Sequence, residues 1–128
     1  MSGGNAEAPL VLLVEDNEMI RRAFCILLEE SGYRVLGAAG GVEALEVAAR
    51  ELPDLMLLDL GLPDVSGLEV ARRLKAAEPT RDIAIVALTG RALEADRAAC
   101  REAGCAGYIV KPVDTQRLLR ELPTYLGR

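Results

Sequence analysis

The chain contains no histidine and no tryptophan. The absence of histidine removes Ser-His-Asp and Cys-His catalysis, imidazole metal sites and any phosphohistidine carried by the chain itself. Aromatic residues make up only 3% of the 128 residues, so the core must be aliphatic, and the composition argues against a base-stacking nucleic-acid surface. Positive charge is the minority sign, with 15 basic against 20 acidic side chains and a net charge of -5, which disfavours a phosphate-backbone binder. Lysine is scarce: Lys75 and Lys111 are the only two, the other basic residues being arginine. The three cysteines (Cys25, Cys100, Cys105) are odd in number and lack CxxC spacing, which argues against a disulfide framework or a zinc site and fits a reducing compartment. No apolar run reaches the ~18–20 residues of a membrane span. The start, MSGGNAEAP, has no basic region leading into an apolar core, so residues 1–8 read as a flexible arm rather than a signal peptide. What is present is globular: 51% apolar and 27% charged residues, in a length that suits one domain over 9–128.

Two periodicities alternate along that domain. Leu10–Val14 is apolar on both faces, as expected of a strand inside a parallel sheet. Ile20, Ala23, Phe24, Leu27 and Leu28 then recur at helical spacing, with Gly32 as the stop. The pair repeats: a strand over 34–39, then a helix with Val42, Leu45, Ala49 and Leu52 on one face, ended by Pro53. Leu55–Leu58 is a third strand, closed by Asp59; Ser66 and Glu69 form a capping box for the helix that follows to about Ala77. A strand over 83–88 leads to Thr89-Gly90, and a helix over 93–103 stops at Gly104. Tyr108–Val110 is a last short strand, and Asp114 caps a final helix that Pro123 should kink or shorten. Five strands alternating with five helices predict βαβ units: a doubly wound α/β fold with a parallel sheet.

In such sheets ligands bind beyond the carboxyl ends of the strands. The strand ends carry Glu15 and Asp16, Asp59, Thr89 and Lys111, whereas the second strand, expected at an edge, ends in Ala39. Taken singly, Asp59 is an ordinary loop acid, Glu15-Asp16-Asn17 a polar helix cap, Thr89 a turn residue and Lys111 a solvated lysine. Taken together they place three carboxylates, a hydroxyl and an ammonium on one rim. Three close negative charges repel and drive one toward protonation unless a cation intervenes. A hard divalent ion such as Mg2+ resolves this with one or two carboxylates plus waters and phosphate oxygens. An acceptor carboxylate, a metal, a cation and a hydroxyl donor are the parts phosphoryl transfer requires.

The motifs Leu-Val-Glu-Asp-Asn, Leu-Leu-Asp-Leu-Gly-Leu-Pro-Asp-Val-Ser-Gly, Val-Ala-Leu-Thr-Gly and Tyr-Ile-Val-Lys-Pro give a chain that, over residues 9–127, resembles the receiver domain of two-component response regulators. The resemblance implies a flavodoxin-like (βα)5 sheet of order 2-1-3-4-5. It implies that Asp59 accepts phosphate from a histidine kinase or histidine phosphotransfer protein and passes the signal to a downstream effector protein. Asp16, Asp59 and the Gly61 backbone carbonyl would ligate Mg2+ (with Mn2+ as a substitute), and Glu15 would act through a water. Thr89 and Lys111 would bind the phosphoryl oxygens, Tyr108 would be the switch aromatic, and the Lys111-Pro112 bond would be cis. It further implies a cytoplasmic phosphoacceptor, monomeric or weakly dimeric, with no direct nucleic-acid or membrane binding and no turnover of a small substrate. No output domain is visible after the last helix, so a stand-alone receiver and a receiver from a hybrid kinase or larger regulator are both open.

Several positions depart from the family. Glu15 stands where aspartate is commoner, Gly90 where alanine is frequent, and Ala106-Gly107 lacks the paired acids of receivers joined to winged-helix domains. Gly61 and Arg91 occupy positions that tune phosphoryl lifetime. A haloacid dehalogenase-type phosphatase would resemble Asp-x-Asp, but Gly61 stands two residues after Asp59. A flavin module would want aromatic, hydroxyl-rich loops, and the acidic loop after the first strand would repel a phosphate. A degenerate receiver would lack one of the five side-chain types, and all are present.

Overall fold

The apolar runs become the strands of one parallel sheet: β1 (Leu10–Val14), β2 (Arg34–Ala38), β3 (Leu55–Asp59), β4 (Ala84–Thr89) and β5 (Gly107–Val110), in the order β2-β1-β3-β4-β5. The computed structural model describes residues 8–90 and 94–127. The expected N-terminal arm falls almost wholly outside them, and its last residue, Ala8, is tied down by its carbonyl, which accepts from Arg34 Nε at 2.8 Å. Among the described residues the helices are α1 (Glu18–Glu30), α2 (Gly41–Glu51), α3 (Gly67–Ala76), α4 (Glu94–Ala103) and α5 (Thr115–Tyr125), plus a 3-10 turn over Glu78–Thr80 that the sequence reading missed. The expected start of α4 at residue 93 lies outside the described residues. No described helix is long and apolar enough to cross a membrane.

Successive strand residues point to opposite faces, so a strand apolar throughout serves two cores. Val11, Leu13, Leu55, Leu57, Val86 and Leu88 meet Leu28 of α1 and Leu118 and Leu122 of α5. Leu12, Val14, Met56 and Leu58 meet Ala44 and Val47 of α2 and Val70 and Leu74 of α3 on the other face. Each such aliphatic side chain is worth about 1.5–3 kcal/mol of burial, against ~1 kcal/mol for a helix cap, so the strands decide the fold and the caps decide where helices start. The caps are nonetheless where the sequence placed them. Asn17 Oδ1 accepts from the Ile20 N–H at 3.0 Å, Ser66 Oγ from Glu69 at 3.2 Å and Asp114 Oδ1 from Arg117 at 3.1 Å. Gly32 and Gly104 end α1 and α4 with φ of +99° and +96°, a conformation glycine adopts without strain.

Four local expectations are corrected. The face of α2 is mostly different: of the expected residues Leu45 packs on the core, but Val42 and Leu52 are half exposed and Ala49 is exposed, while Gly41, Ala44, Val47 and Ala48 are buried. The helix lies close enough to its neighbours for small residues to fill the contact; a Cβ on Gly41 would stand 2.8 Å from Val65 Cβ. On α1, Ile20 and Ala23 are exposed, and the buried face is built from Phe24, Cys25 and Leu28. The capping box is half formed: the Glu69 carboxylate takes Arg73 Nε at 3.0 Å, one turn on, rather than turning back to Ser66. Pro123 does not end α5, which continues to Tyr125. Its ring falls in the last turn, where Leu122 and Tyr125, packed on the core, hold the helix together.

Register sets the rim. Val14 pairs with Leu58, Asp59 with Leu88 and Thr89 with Val110, so the residues that follow these pairs emerge level with one another.

Candidate functional site

The pocket is built where β1, β3, β4 and β5 run out. Glu15, although charged, is only 4% exposed, because the turn folds its carboxylate inward. Its backbone N–H donates to Ala38 O at 3.0 Å, and its Oε2 accepts the Asn17 N–H at 3.0 Å. Asp59, at the end of β3, is 5% exposed. Its Oδ1 accepts the Gly61 N–H at 2.9 Å, and its Oδ2 accepts from Lys111 Nζ at 2.9 Å. Lys111 Nζ lies 3.8 Å from Glu15 Oε1, so one ammonium faces two carboxylates. Asp16 is exposed, and one carboxylate oxygen from each of Glu15, Asp16 and Asp59 lies within 4.8 Å of the others.

Three acids sharing one ammonium leave the pocket short of positive charge. Burial pushes the Glu15 carboxyl above its ordinary value, and the Asp59 charge and the contact with Asp16 push the same way, against the Asn17 N–H and Lys111. An all-oxygen donor set of this charge and spacing fits a hard divalent cation such as Mg2+. Beside the acids a cavity of about 360 Å³ opens, lined by Asp59, Leu60, Gly61, Thr89, Gly90 and Lys111. Thr89 is buried at the end of β4, and its carbonyl accepts the Lys111 N–H at 2.7 Å. A Cβ at Gly90 would meet no atom of the described residues within 4 Å. Arg91 lies outside the described residues. The Lys111-Pro112 peptide bond is cis.

Tyr108 lies on β5 three residues before Lys111, level with Ala87 of β4. The Arg97 guanidinium stands 4.9 Å from its ring centroid, and its hydroxyl is buried with no hydrogen-bond partner among the described residues. Asp16, Asp59, Glu15, Thr89 and Lys111 are thus brought together at the strand ends, whereas Tyr108 lines a separate cavity with Arg97 and Arg117.

Two residues escaped the sequence reading. Asp64, read only as part of a motif, receives the N–H groups of Gly41 and Val42 at 2.8 and 3.0 Å. It caps α2, whose own cap residue, Gly40, has no side chain to do so, and these bonds hold its carboxyl down at about 2. Arg21 donates from Nη1 to the Glu15 carbonyl at 2.8 Å. Its place one turn after Asn17 was the available signal.

The family model described as the response regulator receiver domain matches residues 11–123. The polar-differentiation response regulator DivK of Brucella ovis is 43% identical over 117 residues, covering 91% of this chain and 95% of that protein. The receiver domain of sensor histidine kinase PA1611 from Pseudomonas aeruginosa PAO1, with a magnesium ion coordinated in its active-site cleft, superposes with a TM-score of 0.85 at 36% identity, covering 94% of this chain and 99% of that one. Chemotaxis protein CheY4 of Vibrio cholerae superposes with a TM-score of 0.87 at 28% identity, covering 92% and 98%.

Proposed function

The chain belongs to the response regulator receiver domain family, and from that premise we propose that Asp59 is its phosphoacceptor, loaded by a histidine kinase or histidine phosphotransfer protein. Receivers of this family are signalling phosphoacceptors rather than turnover enzymes, and they bind Mg2+ at an acidic site. The observation that carries the reading is the Asp59 carboxylate itself. It is buried beside an open cavity, paired with Lys111 and close to two further acids.

Asp16, Asp59 and the Gly61 carbonyl would hold the metal directly, with Glu15 acting through a water. The bound metal would supply charge neutralisation for an incoming phosphoryl group. The residues supply the rest. The Gly61 N–H and the Lys111 ammonium orient the Asp59 carboxylate. One carboxylate oxygen forms the O–P bond while the donor's P–N bond breaks, and the imidazole leaves with that electron pair and takes up a proton. Lys111 and Thr89 then bind the phosphoryl oxygens, as charge-assisted bonds favour. No outside catalyst is needed for transfer or later hydrolysis, since the positioning groups belong to the receiver. The product biases Thr89 and Tyr108, and with them the surface of β5 and α4 that an effector protein reads. A protein donor is supported by the apolar groove of about 370 Å³ beside Lys111, walled by Ile20, Phe24, Pro112 and Val113, and by Met19, which is 82% exposed.

Incubation with acetyl phosphate and Mg2+, followed by intact mass, tests the reading. The wild-type chain gains one phosphoryl group and Asp59→Asn gains none. Equal gain by both would remove Asp59 from its role.

A further inference from the structure

We propose that Arg21 is a positioning residue for the acidic cluster, acting through the Glu15 backbone on the direction in which Asp16 leaves the turn. The inference rests on the reading of that cluster as a metal site.

Arg21 stands in the first turn of α1, its own N–H donating to Asn17 O at 2.9 Å. Its guanidinium returns six residues to the Glu15 carbonyl at 2.8 Å. To get there the aliphatic stem crosses β2 at Gly37, where a Cβ would come within 3.2 Å of Arg21 Cδ. The glycine in that edge strand makes the room.

The bond falls on a peptide plane that matters. The Glu15 carbonyl and the Asp16 amide belong to one planar unit, so fixing the oxygen fixes where Asp16 begins. Glu15 is already held by its N–H on Ala38 and its carboxylate on the Asn17 N–H. Asp16 is exposed, and Arg21 is what sets the plane before it. Outer-shell partners that orient a metal's carboxylates typically control affinity by ~10–100-fold.

The test uses Mn2+ as the probe, with free ion counted by electron paramagnetic resonance. Wild type binds Mn2+ in competition with Mg2+. Arg21→Met keeps the stem over Gly37 but loses the donor, and weakens Mn2+ binding by about tenfold. Gly37→Val leaves Arg21 in place but pushes its stem aside, and weakens binding in the same direction. Arg21→Lys, whose ammonium keeps a donor but lacks the reach and planar fork of the guanidinium, falls between Arg21→Met and wild type. Saturating Mg2+ restores the rate of phosphorylation by acetyl phosphate in all three. A lower melting temperature with unchanged Mn2+ affinity in both Arg21→Met and Gly37→Val would make Arg21 merely structural and overturn the inference. If Arg21→Met fails to fold, Gly37→Val decides. A wild-type chain that binds no Mn2+ overturns the underlying site reading, and the inference with it.

Discussion

The two halves of the rim are built in opposite ways. On the β1–β3 side, Glu15 is held at its N–H, its carbonyl and both carboxylate oxygens, and Asp59 at both of its oxygens. On the β4–β5 side, a Cβ at Gly90 would meet no atom of the described residues within 4 Å, and the buried Tyr108 hydroxyl has no partner among them. The first half is pre-organised to concentrate negative charge, which costs stability unless a cation is present. The second half holds a buried hydroxyl that no described residue satisfies, and such a group costs free energy as long as it stays unpaired.

That contrast can be attacked directly. Lys111→Met removes the cation that faces both acids, and we expect phosphoryl uptake from acetyl phosphate to fall roughly 10–100-fold, the worth of one or two charge-assisted hydrogen bonds. Mg2+ affinity should hold or rise, because the site loses a positive charge. A parallel fall in uptake and affinity would show that Lys111 scaffolds the acids instead.

Glu15→Gln should separate stability from binding. Because Glu15 is raised, its ionised form opposes folding above its folded-state pKa, and the penalty is relieved as pH falls below the ordinary 4.5. The variant is therefore expected to melt higher than wild type at neutral pH without metal, and to gain less from added Mg2+. Full binding at Mg2+ well above its dissociation constant stabilises by about 2.7 kcal/mol at 100-fold excess, so the lost increment is readable by calorimetry.

Tyr108→Phe deletes a buried hydroxyl that no described residue satisfies and should stabilise the unphosphorylated chain by about 1 kcal/mol in urea titration. A destabilised variant would mean that the hydroxyl is satisfied in solution. The smallest effect belongs to a control outside both halves. Asp64→Asn offers α2 one acceptor in place of two, and the melting temperature should drop by roughly a few degrees. Since Asp64 is held down at about 2 from an ordinary 3.8, that difference is fully present above pH 3.8 and vanishes as pH falls through 2. A difference that grew in acid would contradict the cap.

Much of the fold was legible because strands buried on both faces are continuous apolar runs, and because Asn17, Ser66, Asp114, Gly32 and Gly104 act on their own neighbours. The site was legible because each of its polar groups directly follows such a run. What was illegible involved choices between near-equal options. The α2 face was not legible from spacing, because Ala44 and Ala48 are buried where the helix comes close to its neighbours, while the larger Val42 and Leu52 are half exposed. Asp64 could not be seen as a cap because its helix begins 23 residues earlier in the chain.

The sequence alone determined which groups would be available: three acids, a hydroxyl and a lysine, each at the end of an apolar segment, in a chain without histidine. Only the tertiary structure decided that they share charge, that Arg21 reaches back across Gly37, and that the Tyr108 hydroxyl is buried without a partner among the described residues. The reason is range. Apolar periodicity and capping are written between residues a turn or a strand apart. Distances of a few ångströms between side chains fifty residues apart exist only once five strands have settled into register.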